Sequence, residues 1–424
     1  MADGAAAATG PIKPSGVRGS IASHAAMVAV ALGIAQVASY AVSVIAARTL
    51  GPDGFGVLAA LLGILLIGSV LAMGIQAVAA RRLVGLADDA RAGAARAMLR
   101  DGLVGGFAVA MATVAVSPLL VWLLKLDGWL SILLAAATFI PLTWAGAQYG
   151  IAQGRESYRR LAAVYALVGL GRGVGGVIGA VVISTVAGTM AGLALGTALG
   201  AIAGRLVVAP LADAPRVRLD HFARESAHAT HALLALFVLT NVDVLLARAL
   251  LTAEQAGIYG VGAVIAKVAF WLPQFVGVVA FPRFADARRA RATLFSLLAV
   301  AGIGALVVIV TAAVPGIVVA FVGGAAYSAL VPLAWVFACI GAVFALAQAL
   351  LLTRLAVDDR RAVIAVWAAA ALLIGAATLI APRTVAGLAA SALTAGLALA
   401  IVGVIVAVRE HRSTDQPGSA PATP

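Results

Sequence analysis

Apolar residues fill the chain in long runs, and short polar segments separate one run from the next. Each run is close to or above the roughly 20 residues that cross a hydrocarbon core as a helix. The pattern predicts an all-α, polytopic membrane protein with about twelve transmembrane helices. The predicted spans cover residues 22–47, 56–79, 102–124, 129–152, 162–185, 188–211, 232–251, 257–280, 294–322, 328–353, 362–381 and 384–408.

The composition excludes a water-soluble protein. Of the 424 residues, 63% are hydrophobic and 11% are charged, whereas soluble globular proteins carry about 25% charged residues. In a soluble protein, the net charge of +12 would indicate binding to nucleic acid. In a membrane protein, basic loops face anionic headgroups instead. We therefore expect membrane lipids, and no nucleic acid, as partners.

The basic residues also predict the orientation. The loops and tails on one side of the membrane hold 22 Lys and Arg residues, and those on the other side hold four. The positive-inside rule places the richer side, with both termini, in the cytoplasm. We therefore predict a multi-pass protein of the cell (inner or plasma) membrane. The four basic residues of the outer side are Arg48, Lys125, Arg248 and Arg383.

The chain contains an internal repeat. Residues 44–50 read VIAARTL and residues 244–250 read VLLARAL, and each stretch ends a span just before a short turn. The offset equals six spans, so it predicts two halves of the same orientation, as in transporters that hold substrate between parallel repeats. The predicted units are a disordered tail (1–21), two six-helix bundles (22–211 and 232–408) joined by a cytoplasmic linker (212–231), and a second disordered tail (409–424).

The repeated stretches resemble a known family. Residues 47–56, ARTLGPDGFG, resemble the first-hairpin signature of polysaccharide biosynthesis membrane proteins, and residues 241–282 resemble their seventh and eighth spans. These proteins are Wzx-type lipid-linked oligosaccharide flippases of the multidrug/oligosaccharidyl-lipid/polysaccharide (MOP) exporter superfamily. The resemblance implies two six-helix bundles around a V-shaped cavity that opens alternately to each side. The larger number of spans typical of the lipid II flippase branch is not predicted here.

Few ionisable residues lie within the predicted spans, where each costs at least about 2.5–3.5 kcal/mol. Arg172, Asp243 and Lys267 lie midway along spans five, seven and eight. Arg48 and Arg248 lie near the outer ends of spans one and seven, at matched positions of the repeat. We predict that the four cations bind an anionic substrate. For Asp243 we predict ion coupling, with a structural pairing to Arg172 or Lys267 as the alternative.

Glycines surround Arg172 in the sequence. Gly169, Gly176 and Gly179 share its helix face, so we expect room there for a large anionic group. Asn241 lies about 200° around an ideal helix from Asp243, so the two are not expected to point into one site. Glycines spaced four apart also predict close packing of spans five and six. They are Gly171, Gly175 and Gly179 on span five and Gly192, Gly196, Gly200 and Gly204 on span six.

The sequence predicts no enzyme, cofactor or metal site. Cys339 is the only cysteine, and the five histidines lack the spacing of metal ligands. No Ser/His/Asp arrangement, phosphate-binding loop or pair of carboxylates within a span can be assembled.

The sign of the charges within the spans separates the candidate functions. Mostly cationic spans favour a transporter that flips a polyprenyl-pyrophosphate-linked oligosaccharide from the cytoplasmic to the outer leaflet by alternating access. An ion-coupled multidrug exporter of the same superfamily is the alternative, although cationic drugs favour a more acidic cavity. A membrane glycosyltransferase is disfavoured by the short outer loops. The expected partners are the lipid-linked anionic substrate and glycosyltransferases or polymerases of polysaccharide or cell-envelope biosynthesis.

Overall fold

A computed structural model describes residues 15–208, 221–284, 289–355 and 360–414 of the chain. These residues are almost entirely helical and include no β-strand, which confirms the all-α prediction. The first helix begins at Ser15 and the last ends at Thr414, so each extends a few residues into the tail predicted beside it. The rest of both tails, and residues 212–220 of the predicted linker, lie outside the described residues.

The N-terminal half consists of six helices. They are α1 (Ser15–Gly68), α2 (Val70–Val84), α3 (Asp88–Leu123), α4 (Leu130–Gly154), α5 (Tyr158–Ile178), which continues as a π-helical turn (Gly179–Ile183), and α6 (Val186–Val208). α1 is broken at Gly51, whose φ of 66° lies in the left-handed region that favours glycine.

The number of spans depends on this break. Ten helices of the described residues are long and apolar enough to cross a membrane, or eleven with one bent pair. The first of them, Ala26–Val84, has 59 residues and would extend about 88 Å as one helix, almost three times the thickness of the hydrocarbon core. The break at Gly51 divides it into the first two predicted spans. When the first helix is counted as two spans and the bent pair as one span, the described helices give the twelve expected spans.

The C-terminal half contains two spans that are not single straight helices. Span seven is interrupted at Thr240 and Asn241, whose side chains donate hydrogen bonds to the carbonyl oxygens one turn earlier and compete there with the helix ladder. Span nine bends by 95° at Pro315, which cannot continue the helix before it. The helices are α7 (Phe222–Leu239), α8 (Val242–Leu250), α9 (Ala253–Phe284), α10 (Arg289–Ala313), α11 (Pro315–Val322), a 3-10 helix (Ala325–Leu333), α12 (Ala334–Leu355), α13 (Arg360–Gly375) with a π-helical turn (Ala376–Ile380), and α14 (Val385–Thr414).

The glycine ladders pack spans five and six together, as predicted. A Cβ atom added at Gly175 would collide with the backbone carbonyl of Gly192, and one at Gly196 would collide with that of Gly171. Lipid tails are as apolar as the helices, so the hydrophobic effect does not drive helices together within the membrane. Van der Waals packing between closely approaching backbones is one of the interactions that hold them together instead.

The two halves meet where α2 and the part of α1 that follows Gly51 pack against α7, α8 and α9. Gly56 of α1 lies against the backbone of Gly257, and Gly74 of α2 lies against Thr230 of α7. One hydrophobic core extends through both halves. Its largest fully buried side chains include Phe55 from the first half and Phe337 from the second.

Candidate functional site

A cavity of about 100 Å³ lies between the two halves. Side chains of α1, α5 and α6 form its wall on the N-terminal side, and side chains of α8 and α9 form the opposite wall. Arg172 of α5 and Lys267 of α9 both line this cavity. The structure therefore brings together two of the four predicted substrate-binding cations, one from each half.

Span one contributes a polar face that the sequence analysis did not single out. Gln36, Ser39, Tyr40 and Ser43 all line the cavity, and their spacing of three and four residues places them on one side of α1. The Tyr40 hydroxyl is buried and has no hydrogen-bond partner among the described residues. Four polar residues at this spacing in an apolar span are the signal from which this wall could have been predicted.

Arg172 is half-buried, and its guanidinium donates a hydrogen bond of 3.0 Å to the Ser39 hydroxyl. The glycines near it do not leave the room that we expected. A Cβ atom at Gly169 would collide with Ala35, and one at Gly176 would lie 2.8 Å from Val42, because α1 packs against this face of α5. The free space beside Arg172 is in the cavity between the halves.

Lys267 borders two cavities. The second cavity, of about 40 Å³, lies inside the C-terminal half and is also lined by Asn241 and Asp243. Within the part of the chain that the structure describes, no hydrogen bond or ion pair fixes the Lys267 ammonium group. Asp243 is the acidic residue with which it interacts electrostatically. Of the two structural partners considered for Asp243, the structure thus places Lys267 near it.

Asp243 is almost fully buried, with 5% of its surface exposed. The hydroxyl of Tyr259 donates a hydrogen bond of 2.9 Å to Oδ2, while Oδ1 has no partner among the described residues. Asn241 lines the same cavity, so the expectation that the two residues face apart was wrong. It assumed an ideal helix, whereas α8 begins only after Asn241.

Arg48 and Arg248 lie elsewhere. Neither lines the cavity between the halves. Each guanidinium instead donates hydrogen bonds to two backbone carbonyl oxygens of the opposite half, at 2.7 to 3.1 Å. Both are at the end of the molecule that holds the loops between spans one and two, three and four, and seven and eight. We call it the outer end, after the orientation predicted from charge.

Sequence comparison supplies the family. The profile of the family described as "Polysaccharide biosynthesis protein" matches residues 21–288, which is more than half of the chain. The chain belongs to this family. The match includes both stretches on which the resemblance rests and confirms it. No curated protein matches the sequence.

Solved structures show that this polysaccharide biosynthesis protein has the fold of the MOP superfamily. The structure of the lipid II flippase MurJ in an inward closed conformation matches with a TM-score of 0.72 and 10% identity, over 90% of this chain and 87% of that one. An inward-facing multidrug resistance MATE family transporter matches with a TM-score of 0.67 and 13% identity, over 91% and 96%. An outward-facing one matches with a TM-score of 0.57 and 14% identity, over 93% and 97%.

The predicted architecture of two helix bundles is therefore confirmed, and so is a multi-pass membrane protein. The TM-score is higher for the inward-facing MATE structure than for the outward-facing one. The cytoplasmic placement of the termini and the inner or plasma membrane stay predictions.

Proposed function

We propose that this protein flips a polyprenyl-pyrophosphate-linked oligosaccharide from the cytoplasmic to the outer leaflet by alternating access, for polysaccharide or cell-envelope biosynthesis. The observation that carries the proposal is the placement of Arg172 and Lys267, one from each half, on one cavity between the halves. Membership of the polysaccharide biosynthesis family supports the substrate class.

The hydrogen-bonding capacity of the two cations supports an anionic substrate. A guanidinium has five N–H donors and an ammonium has three. Arg172 uses one of its donors on Ser39, and in the described structure Lys267 uses none. Pyrophosphate oxygens are strong acceptors, and charge-assisted hydrogen bonds to them are roughly twice as strong as neutral ones. The cavity thus offers unused donors where an anion would need them.

The size of the cavity supports alternating access. A volume of about 100 Å³ holds several water molecules, but a sugar linked to pyrophosphate needs more room. The halves must therefore separate to admit the headgroup. Solved structures of this fold have been described in inward-facing and outward-facing conformations.

We further propose that Asp243 couples transport to an ion. Its Oδ1 atom has no partner in the described chain, and Lys267 lies between it and the substrate cavity. A proton or cation bound at Asp243 would neutralise the carboxylate, and Lys267 would then be free to turn towards a phosphate. Substrate binding and ion binding would thus act through one ammonium group.

An ion-coupled multidrug exporter is the second candidate. The fold match to multidrug resistance MATE family transporters favours it, as does the buried carboxylate of Asp243. Two cations on the cavity disfavour it, because a cationic drug would be repelled. A membrane glycosyltransferase is a weaker third candidate, because the solved structures of this fold named above are described as a flippase and transporters.

The test is transport of a lipid-linked oligosaccharide in proteoliposomes by Arg172→Gln and Lys267→Gln variants. Losing charge-assisted bonds of about 1.5–3 kcal/mol should slow transport by roughly 10- to 100-fold. Arg172→Lys should keep part of the activity, because it keeps the charge but loses the planar fork. Arg205→Gln, near the cytoplasmic end of α6, is the matched control. Equal transport by all variants would exclude the proposed site.

A double variant separates a binding role of Lys267 from a structural one. If Lys267 only balances Asp243, then Lys267→Gln combined with Asp243→Asn should restore transport, because both buried charges are removed together. If Lys267 binds the substrate, the double variant should be at least as slow as Lys267→Gln, and slower still if Asp243 also couples transport to an ion. The amount of protein in the membrane must be measured for each variant, since an unpaired buried carboxylate also lowers folding stability.

A further inference from the structure

The two arginines of the internal repeat make reciprocal contacts across the interface between the halves. Arg48, on α1, donates to the carbonyl oxygens of Ala320 at 3.1 Å and Phe321 at 2.7 Å, in the last turn of α11. Each half thus sends one arginine to the other, since Arg248 on α8 also reaches across.

Arg248 contacts the end of α3 in the N-terminal half. Its Nε atom donates to the carbonyl oxygen of Leu124 at 2.9 Å, and one terminal nitrogen donates to that of Lys125 at 3.0 Å. α3 ends at Leu123, so both acceptors directly follow its last residue. The two arginines are 200 residues apart, and they contact spans three and nine, which are also equivalent in the repeat.

Helix ends explain why carbonyl groups are the acceptors. The last four carbonyl groups of a helix have no partner within it, and they carry the partial negative charge of the helix dipole. Arg48 contacts two such carbonyl groups at the end of α11, of which that of Ala320 also accepts from the Gly324 N–H. Arg248 contacts the two carbonyl groups that follow α3. At the buried Arg248, such a charge-assisted contact is stronger than it would be in water.

Two further contacts close the same end. The hydroxyl of Tyr327 donates to the carbonyl oxygen of Ala47 at 2.9 Å, in a fully buried position beside Arg48. Lys125 donates to the carbonyl oxygen of Leu251 at 3.5 Å. Each of these bonds also joins one half to the other. Four side chains therefore join the halves at the outer end by donating to backbone acceptors, namely those of Arg48, Arg248, Tyr327 and Lys125.

We propose that Arg48 and Arg248 form a reciprocal latch that keeps the outer end closed, and that both contacts break when the cavity opens outwards. The latch rests on alternating access, which belongs to the proposed function, but not on the identity of the substrate. It gives the two residues a conformational role in place of the substrate contact expected from the sequence.

The latch is reversible because both partners can be hydrated when it opens. Water can replace the carbonyl groups as partners of each guanidinium, and water can also satisfy the freed carbonyls. The two contacts differ in burial. Arg248 is 7% exposed, whereas Arg48 is exposed. Exposed contacts of charged groups contribute less than buried ones, so Arg248 should contribute more to closure.

Accessibility of a cysteine in the cavity tests the latch without any substrate. Cys339 is the only natural cysteine, so Cys339→Ser gives a background in which Ser43→Cys, on the cavity wall, is the single probe. A membrane-impermeant maleimide is applied to the outer face or, in inverted vesicles, to the inner face. Arg48→Gln and Arg248→Gln should each speed labelling from outside, by about tenfold for Arg248→Gln and less for Arg48→Gln.

The opposite change from inside distinguishes a released latch from a damaged fold. Released variants should be labelled more slowly from inside, because the outward-open population grows at the expense of the inward-open one. A misfolded protein would be labelled faster from both sides. The double variant should show the product of the two single effects. Arg383→Gln, at an exposed arginine of the same end, should change neither rate.

The result that overturns the latch is unchanged labelling from both sides in Arg48→Gln and Arg248→Gln. If transport of the lipid-linked oligosaccharide falls in these variants while labelling stays unchanged, the arginines contact the substrate, as the sequence predicts. If labelling changes as expected but the protein does not transport this substrate at all, the latch holds and the proposed substrate fails. The two proposals can therefore fail separately.

Discussion

The interface between the halves is closed differently at its two ends. At the outer end, main chain meets main chain at Gly56 and Gly257, without intervening side chains. At the inner end, the Thr230 side chain and the backbone carbonyl oxygen of Ser226 both lie against Gly74, and the ion pair between Glu225 and Arg82 adds a side-chain contact with an N–O distance of 2.7 Å.

This difference indicates which end opens more easily. Side chains such as those of Thr230 and Glu225 can rotate away or exchange their partner for water, whereas two backbones in contact cannot yield without moving whole helices. The side-chain part of the inner contact can thus loosen without a helix movement, whereas the backbone contact at Gly257 cannot.

The largest effect is expected for Gly257→Ala. The new Cβ atom would collide with the carbonyl oxygen of Pro52, and overpacking of this kind costs about 1–3 kcal/mol. Because the cost applies only when the outer end is closed, labelling of the cavity cysteine from outside should rise by roughly 10- to 100-fold. Gly302→Ala is the control, since a Cβ atom there has no atom within 4 Å. A Gly257→Ala protein that stays inaccessible from outside would contradict the described backbone contact.

A smaller effect is expected for Tyr327→Phe. The substitution keeps the ring but removes the donor to the Ala47 carbonyl oxygen, at a cost of about 1 kcal/mol. Labelling from outside should therefore rise by about fivefold. Tyr158→Phe, at the start of α5 on the inner side, should leave this rate unchanged. An equal rise in both variants would show that the loss of a hydroxyl acts on the whole fold rather than on the outer end.

The smallest effect is expected at the ion pair between Arg82 and Glu225 at the inner end, which can be weakened by lowering the pH. The hydrogen bond from Arg82 holds the pKa of Glu225 below its ordinary value of 4.5. The stability that this ion pair adds to the contact between α2 and α7 is therefore fully present above pH 4.5 and is lost as the pH falls through the lower pKa of Glu225 in the folded protein. Distances between spin labels at Val84→Cys and His228→Cys, in the Cys339→Ser background, should lengthen on acidification.

Substitution of the glutamate should reproduce the acid effect at neutral pH. Glu225→Gln should shift the spin-label distance distribution in the same direction, with a change in population of about twofold, as for other solvent-accessible pairs. The distribution should then no longer respond to acid. Glu254→Gln, at the outer start of α9, is the control. A response to acid that persists in Glu225→Gln would assign the pH dependence to another group.

The fold could be predicted from the sequence further than the site could. Hydrophobicity locates the spans because a helix must be apolar over about 20 residues to cross the membrane. Hydrophobicity does not show where the helix of a span is interrupted, and so the interruption at Thr240 and the bend at Pro315 were not predicted. The first depends on side-chain hydrogen bonds, and the second depends on where the chain turns after the proline.

For a similar reason, the positions of two of the four predicted substrate-binding cations could be predicted better than the contacts of the other two. Arg172 and Lys267 could be predicted as a pair because a buried charge within an apolar span needs a functional or structural explanation. The repeat correctly indicated that Arg48 and Arg248 belong together. Their acceptors are backbone carbonyl groups, which every residue carries, so the sequence gives no sign of these contacts.

The position of Lys267 between two cavities also has a thermodynamic consequence. A single ammonium group cannot neutralise Asp243 and a phosphate fully at the same time. An anion that draws Lys267 towards the larger cavity leaves the carboxylate uncompensated, and so raises its affinity for a proton or cation. By linkage, an ion bound at Asp243 as proposed would raise the affinity for the anion by the same factor. Positive cooperativity between two ligands of opposite charge would then need no movement larger than the swing of one lysine side chain.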